Sequence, residues 1–327
     1  AHAAGTVLEV STTGNDANSG APGKPLKTVQ AAIDKAAAGT TIKIHKGTYN
    51  QQLKIRKSGT ASAPITVMPY GDGAVTLTAN LPMPACNNSQ PDGQRTILII
   101  SGSDYWTFQG LNIVGGVYST GKDAGSAYTW HSRLVDQGNW QTRRKVPGAG
   151  SYNPTAARQV VPYLRTVTGD QDLDSNDGLK FLNNTVTKKG LFFRMSSYGV
   201  ASGNKISDLA CGTGPGLWLI TFSNGWQVTK NDVSRIAAST WKHFMQEGIR
   251  MGTASNYNKV TGNNVHDLPG DGRAYNTDVD SSWNTITGNR ATNVAIGYND
   301  QMSGSVSYTH LRAHETDSYL VCRLLLE

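Results

Sequence analysis

Four residues in the second half of the chain have the types and the spacing to handle a sugar polymer. Five short phrases, GLFFRM from Gly190, GLWLITF from Gly216, GIRMG from Gly248, GRAYNTD from Gly272 and AIGYND from Ala295, alternate with the period of a β-strand. Alternation sends Leu191, Leu217, Ile249, Ala274 and Ile296 to one side. Phe192, Trp218, Arg250 and Tyr275 then form a row on the other side, with Arg194 and Thr277 farther along. Aromatic faces stack on pyranose rings, and an arginine forks bidentately onto a uronate carboxylate. The same row would also serve as a plain ladder, because neighbouring aromatic pairs stabilise a sheet by roughly 0.2–1 kcal/mol each. Residue type alone leaves both readings open.

Cleaving a uronate polymer by β-elimination needs a base for the C5 proton, a positive charge for the carboxylate, and an exit for the leaving oxygen. The candidates are Arg250 and Arg194 on the face, Tyr275 beside them, and Lys242 with His243 in the loop STWKHFMQEG just ahead of the Arg250 strand. Phe192 and Trp218, with Arg143 and Arg144 from a preceding insertion, are the candidate substrate-binding residues. The plain alternative for Lys242 and His243 is a solvated turn. Calcium has two candidate seats. Asp170, Asp172 and Asp174 are spaced two apart, as in oxygen-ligating Ca²⁺ loops, although Ser175 and Phe181 stand where an EF-hand needs Gly and Glu. Asp278 falls in a second cluster with Asp267, Asp271 and Asp280, and either run also reads as an Asp-rich turn.

What positions these residues is a repeat. The phrases YWTFQGLNI (Tyr105), GLKFLNNTV (Gly178), YGVASGNKI (Tyr198), GWQVTKNDV (Gly225), YNKVTGNNV (Tyr257) and WNTITGNRA (Trp283) recur at a period of roughly 20 to 32 residues. Aligned on their last apolar residue, they share a column of Asn184, Asn204, Asn231, Asn263 and Asn289, with Leu111 in the first. A repeat that cannot bury its own apolar face must stack on its neighbour, so the chain reads as a solenoid with one β-coil per repeat. Stacked Asn side chains at a coil corner hydrogen-bond one another and the turn, which makes the column scaffold and not site.

Ahead of the repeats, Val7 to Val10 reads as a strand. Leu26, Val29, Ala32, Ile33 and Ala36 recur at helical spacing before Gly39, and a helix there would cap the open end of the stack. Ile65 to Met68, Val75 to Thr78 and Ile97 to Ile100 read as strands of the first coils. From about Val117 to Asp177 the pattern stops in a long insertion rich in Trp and Arg, a length typical of functional loops.

The run GNDANSG followed by PLKTVQAAIDKAAAGTTIKIHKGTY and APITVMPYGDGAVTL resembles the N-terminal cap and first coils of secreted pectate-lyase-like polysaccharide lyases. That resemblance covers roughly the first 115 residues and implies a right-handed single-stranded parallel β-helix. It further implies that the Phe192 row lies on the sheet that carries the substrate groove. Activity is less tightly specified, because one fold hosts several chemistries.

The chain of 327 residues is taken as a single domain over 1–305, with the cap at about 1–50. Ala1-His2-Ala3 has the small-residue pattern left by signal-peptide cleavage, so export from a bacterial cell is expected. From Val306, VSYTHLRAHETDSYLVCRLLLE resembles translated sequencing-adapter read-through, so 306–327 is taken as non-native and the solenoid as truncated. The formal charge is +7, and setting aside the tail's two arginines and three acids leaves +8. A basic excess draws in polyanions. Cys86 and Cys211 permit a disulfide without establishing it. No stretch is apolar for long enough to span a bilayer, and no phosphate loop, zinc spacing, nucleophile elbow or nucleic-acid motif occurs. Asn276-Thr277-Asp278 resembles the first motif of polygalacturonase-type hydrolases, but the motifs that should follow are missing. The expectation is a secreted monomer that cleaves an acidic polysaccharide as a lyase. A non-catalytic glycan-binding β-helix and a glycoside hydrolase are the alternatives.

Overall fold

The computed structural model describes residues 5–81, 94–100, 102–122, 124, 175–210, 214–237, 246–270, 272–278, 281, 283–301 and 309–310. Among these residues the chain winds through three parallel sheets of ten, eight and eight strands. One turn shows the rule. Ile65–Pro69 lies in the first sheet, Val75–Thr78 in the second and Ile97–Ile100 in the third, and Trp106–Gln109 then returns to pair with Ile65–Pro69. A strand that returns parallel to its own sheet crosses over right-handed, so the molecule is a right-handed parallel β-helix.

The strands are short, mostly three to six residues, and alternate between buried and exposed positions, as Val75–Thr78 and Ile97–Ile100 both do. Inward residues of successive coils stack in columns. Along the first sheet Val67, Phe108, Phe181, Ala201, Val228 and Val260 align in register and all are buried. Phe108 and Phe181 stack with ring centres 5.2 Å apart. Burial of such apolar area, at about 25 cal/mol per Å², is what holds coil on coil.

The capping helix is Val29–Lys35, which buries Val29, Ala32 and Ile33 beside the Val7–Val10 strand. It starts later than the apolar spacing predicts. The Asp16 carboxylate accepts from the main-chain N–H of Lys27 and Thr28, and Thr28 caps the helix by accepting from Ala31 N–H. Leu26 instead bridges to Val10. The insertion also begins later than expected, because Val117–Thr120 pairs with both Ile97–Ile100 and Leu191–Arg194. Its VYST sequence is too short for alternation to stand out. Thr309–His310 pairs parallel with Ile286–Thr287. Among the described residues, no helix is long and apolar enough to cross a membrane.

The asparagine column is a continuous ladder. The side-chain oxygens of Asn204, Asn231, Asn263 and Asn289 each accept from the main-chain N–H and the side-chain amide of the Asn one coil earlier, at 2.8–3.1 Å. Each amide also donates to a carbonyl within a first-sheet strand, from Phe108 through Val260, at 2.7–3.0 Å. Leu111, which breaks the sequence pattern, donates its N–H to Asn184 and closes the ladder at 3.0 Å. Buried corner polar groups are thereby satisfied.

Candidate functional site

The outer face of the third sheet carries one row in strict register. Tyr118 pairs with Phe192, Phe192 with Trp218, Trp218 with Arg250 and Arg250 with Asn276. Tyr118 and Phe192 have ring centres 5.0 Å apart, and Phe192 stacks on Trp218 at 4.5 Å with an interplanar angle of 10°. The Arg250 guanidinium lies 5.1 Å from the Trp218 ring centre, and that of Arg95 lies 5.2 Å from Phe192. The row is a cation–π and aromatic ladder, as its residue types suggested.

Tyr275 is not part of it, which corrects the alternation drawn from GRAYNTD. Glu247 pairs with Arg273 and Ile249 with Tyr275, so the strand sits one residue out of the phase that made Ala274 the counterpart of Ile249. A one-residue slip turns every side chain to the opposite face. The Tyr275 ring is fully buried, and its hydroxyl bonds to the carbonyls of Arg290 at 2.8 Å and Asn263 at 3.0 Å. Burial holds that phenol well above the ordinary tyrosine range, so it is unsuited to act as a base. Ile296 is likewise displaced, since Tyr298 pairs with Tyr275.

Around Arg250 the chain builds a buried ion network. One terminal guanidinium nitrogen contacts Glu247 Oε2 at 2.9 Å and the other contacts the Asp278 carboxylate. Asn276 Nδ2 donates to Glu247 Oε1 at 2.8 Å, and Arg273 Nη1 approaches the same oxygen at 3.7 Å. Two cations and two carboxylates balance, which is what burial demands. Gly252 makes the room, because a Cβ there would stand 2.5 Å from Asp278 Oδ1. Burial pushes the Asp278 carboxyl up to about 6, with Arg250 opposing and Glu247 adding to the rise. Burial also works against the Arg250 charge, but the two carboxylates outweigh it and hold the guanidinium above its ordinary value.

Of the remaining candidates, Arg194 ends the Leu191–Arg194 strand on the outer face, half-buried, level with Thr120 and Ile220. It makes no ion pair among the described residues. Lys242, His243, Arg143, Arg144, Asp170, Asp172 and Asp174, together with Cys86 and Cys211, lie outside the described residues. Asp278 is engaged by Arg250, and among the described residues no group of three or more acidic, His or Cys side chains is arranged to hold a metal. Glu247 was not among the sequence candidates, and Asn276 entered only through the hydrolase-like run Asn276-Thr277-Asp278. Glu247 did carry a signal, since alternation places it on the side of Ile249 and Met251, where a carboxylate requires a cation.

A separate groove of about 840 Å³ lies where the second sheet turns into the third. Leu209, Ile236 and Leu268 form its floor, with Asp208 and Arg235 on its rim. Arg235 forks onto Asp208 at 2.6 and 2.8 Å and holds that carboxyl down at about 2. No residue of the Phe192 row lines this groove.

Comparison with known proteins agrees with this architecture. Residues 8–140 match the family described as Pel9A-like, right handed beta helix region. The chain is 35% identical over 175 residues to Pectate lyase PEL9 of Emericella nidulans, a stretch that is 52% of this chain and 40% of that protein. It is 43% identical over 74 residues to the uncharacterized protein YwoF of Bacillus subtilis, covering 23% of this chain and 16% of that one. The chain thus spans less than half the length of either relative. Among solved structures, the complex of XylC with xylose superposes with a TM-score of 0.51 at 13% identity, over 90% of this chain and 70% of that one, and shares the fold. The chain carries a right-handed parallel β-helix, and over residues 8–140 that helix is similar to the Pel9A-like family.

Proposed function

We propose that the protein acts outside the cell on an acidic polysaccharide, and that it cleaves uronate linkages by β-elimination on the outer face of the third sheet. The observation that carries this reading is the row of Tyr118, Phe192 and Trp218 rings running into the Arg250–Asp278 ion pair. Trp218, half-buried, offers stacking surface to a sugar while the buried Phe192 and Tyr118 rings back it, and the ion pair offers a proton acceptor beside a positive charge. Similarity to a pectate lyase over about half of the chain supports the same chemistry.

In this scheme the ionised Asp278 carboxylate takes the C5 proton. As it becomes neutral, the Arg250 guanidinium beside it turns its charge to the negative charge developing on the uronate carboxylate. The electron pair left on C5 forms the C4–C5 double bond, the C4–O bond breaks, and the leaving oxygen takes a proton from water or from Lys242 or His243. Arg194 stands three strand steps from Asp278, about 14 Å, and pairs with the carboxylate of a sugar farther along the chain. Glu247 holds Arg250 in place. The scheme routes no step through calcium. The candidate seat for a calcium ion is Asp170, Asp172 and Asp174, which lie outside the described residues.

The test is to incubate the protein with polygalacturonate, alginate and glycosaminoglycans, with and without a chelator, while following ultraviolet absorbance of the unsaturated product. Absorbance that rises on a uronate polymer supports the proposal. No rise on any of them overturns it, and new reducing ends without absorbance would assign the Glu247 and Asp278 carboxylates to a glycoside hydrolase instead. Activity lost on chelation alone would place a divalent cation at the site.

A further inference from the structure

The corner between the third and first sheets carries an aromatic feature that neither the coil stack nor the third-sheet face requires. One position recurs there in six successive coils, occupied in turn by Tyr105, Gly178, Tyr198, Gly225, Tyr257 and Trp283. All six have left-handed backbone, with φ between 54° and 70°. Such a corner is made for glycine, and a bulky L-residue there costs roughly 1–2 kcal/mol. The chain nevertheless places rings at four of the six positions, with Tyr198 71% exposed and Tyr257 57% exposed.

The two glycines are as informative as the rings. A Cβ on Gly178 would stand 2.5 Å from the Tyr105 ring, and one on Gly225 would stand 2.8 Å from the Tyr198 ring. Each tyrosine therefore lies across its own coil and the next, with the glycine leaving the space that it occupies. Tyr257 is backed by Trp283, parallel to within 13° at 5.3 Å. Three platforms result, on alternate coils and so about 10 Å apart along the molecule. Their footing is rigid, because the preceding residue of each coil belongs to a hydrogen-bonded chain. Asp177 N–H donates to Asp104, Ser197 N–H to Asp177, Asn224 N–H to Ser197 and Asn256 N–H to Asn224, at 2.7–3.2 Å.

We propose that this corner is a docking strip for an anionic pyranose polysaccharide, separate from the third-sheet face. In an extended pyranose chain, equivalent ring faces recur on alternate sugars, and platforms on alternate coils match that repeat. Ring-on-sugar contact explains why exposed aromatics are kept where glycine would be the more stable residue. Two residues beyond the corner, Lys180 and Lys259 stand exposed on the outer side of the first sheet, in one register row with Val200 and Gln227 between them, and select carboxylated sugars. Docking here stands whether or not the third sheet is catalytic.

The test is affinity electrophoresis of the whole chain through gels containing polygalacturonate, alginate or hydroxyethyl cellulose. The variant Tyr198→Asn with Tyr257→Asn removes the two most exposed rings of the strip while keeping a residue type that tolerates left-handed backbone. Its dissociation constant for the uronate polymer should rise about tenfold with the melting temperature retained. Lys180→Gln with Lys259→Gln, which leaves the corner untouched, should weaken binding in the same direction. Arg194→Gln, on the third-sheet face, reports the share of binding contributed there. Unchanged retardation of both double variants overturns the proposal, as does wild-type protein retarded by neither uronate polymer, or retarded as strongly by hydroxyethyl cellulose.

Discussion

Asp278 binds its proton more tightly in the folded chain than its ordinary value of 3.8 allows, because burial has moved its titration to about 6. A carboxyl raised in this way contributes stability that is fully present below about pH 4 and is lost as the pH climbs through about 6. Unfolding free energies of wild type and Asp278→Asn, measured side by side from pH 3 to 8, should therefore differ by an amount that shifts against wild type across that window. A difference independent of pH would mean that the carboxyl titrates normally. Arg250 is the counterpart. Arg250→Ala leaves Glu247 and Asp278 buried without their shared cation and should lower stability by about 3 to 5 kcal/mol, as read by chemical denaturation. A loss below about 1 kcal/mol would show that the carboxylates are solvated. Phe192, Trp218 and Arg250 were legible in the sequence because their phrases begin at equivalent glycines. Tyr275 was not, because the apolar Ala274 takes the inward position in the alternation although it stands two residues beyond Gly272 and not one, and the pairing of Ile249 with Tyr275 makes Ala274 the counterpart of Gly248.

At the scale of the element, the asparagine ladder is the most readable feature of the chain, since one residue type recurs at one place in each coil. Asn231→Ala would remove the acceptor of Asn204 N–H and the donor to the Ala201 carbonyl inside a dry corner. The expected cost is about 1 to 3 kcal/mol, with faster amide exchange confined to the coils on either side. Exchange that rises evenly along the whole chain would point to a global unit and not to nearest-neighbour coupling. A second ladder went unread. Ser196, Ser223 and Ser255 each donate a main-chain N–H to the serine hydroxyl one coil on, at 3.2–3.3 Å, ending at Ser281. Serine is common in turns for many reasons, so its recurrence carries less information than that of asparagine.

For the whole molecule, the stacked architecture followed from the repeats, while the site followed only in part, because the register of Arg273–Asp278 is set by pairing with Glu247–Gly252 and not by the repeat itself. The net charge of +7 acts at this scale. Affinity for a uronate polymer should fall by about threefold or more when ionic strength rises from about 0.05 to about 0.3 M, with little change for an uncharged glycan. Affinity insensitive to salt would remove long-range attraction from the account.

Successive ladder asparagines are 20, 27, 32 and 26 residues apart, yet every link has the same geometry. The ladder therefore works as an indexing pin. Chain length can vary freely between two pins without any error being passed to the next coil, so each excursion behaves as an exchangeable cassette. A lineage built on such a frame could change what its surface holds by splicing at a corner, while the coils above and below keep their register.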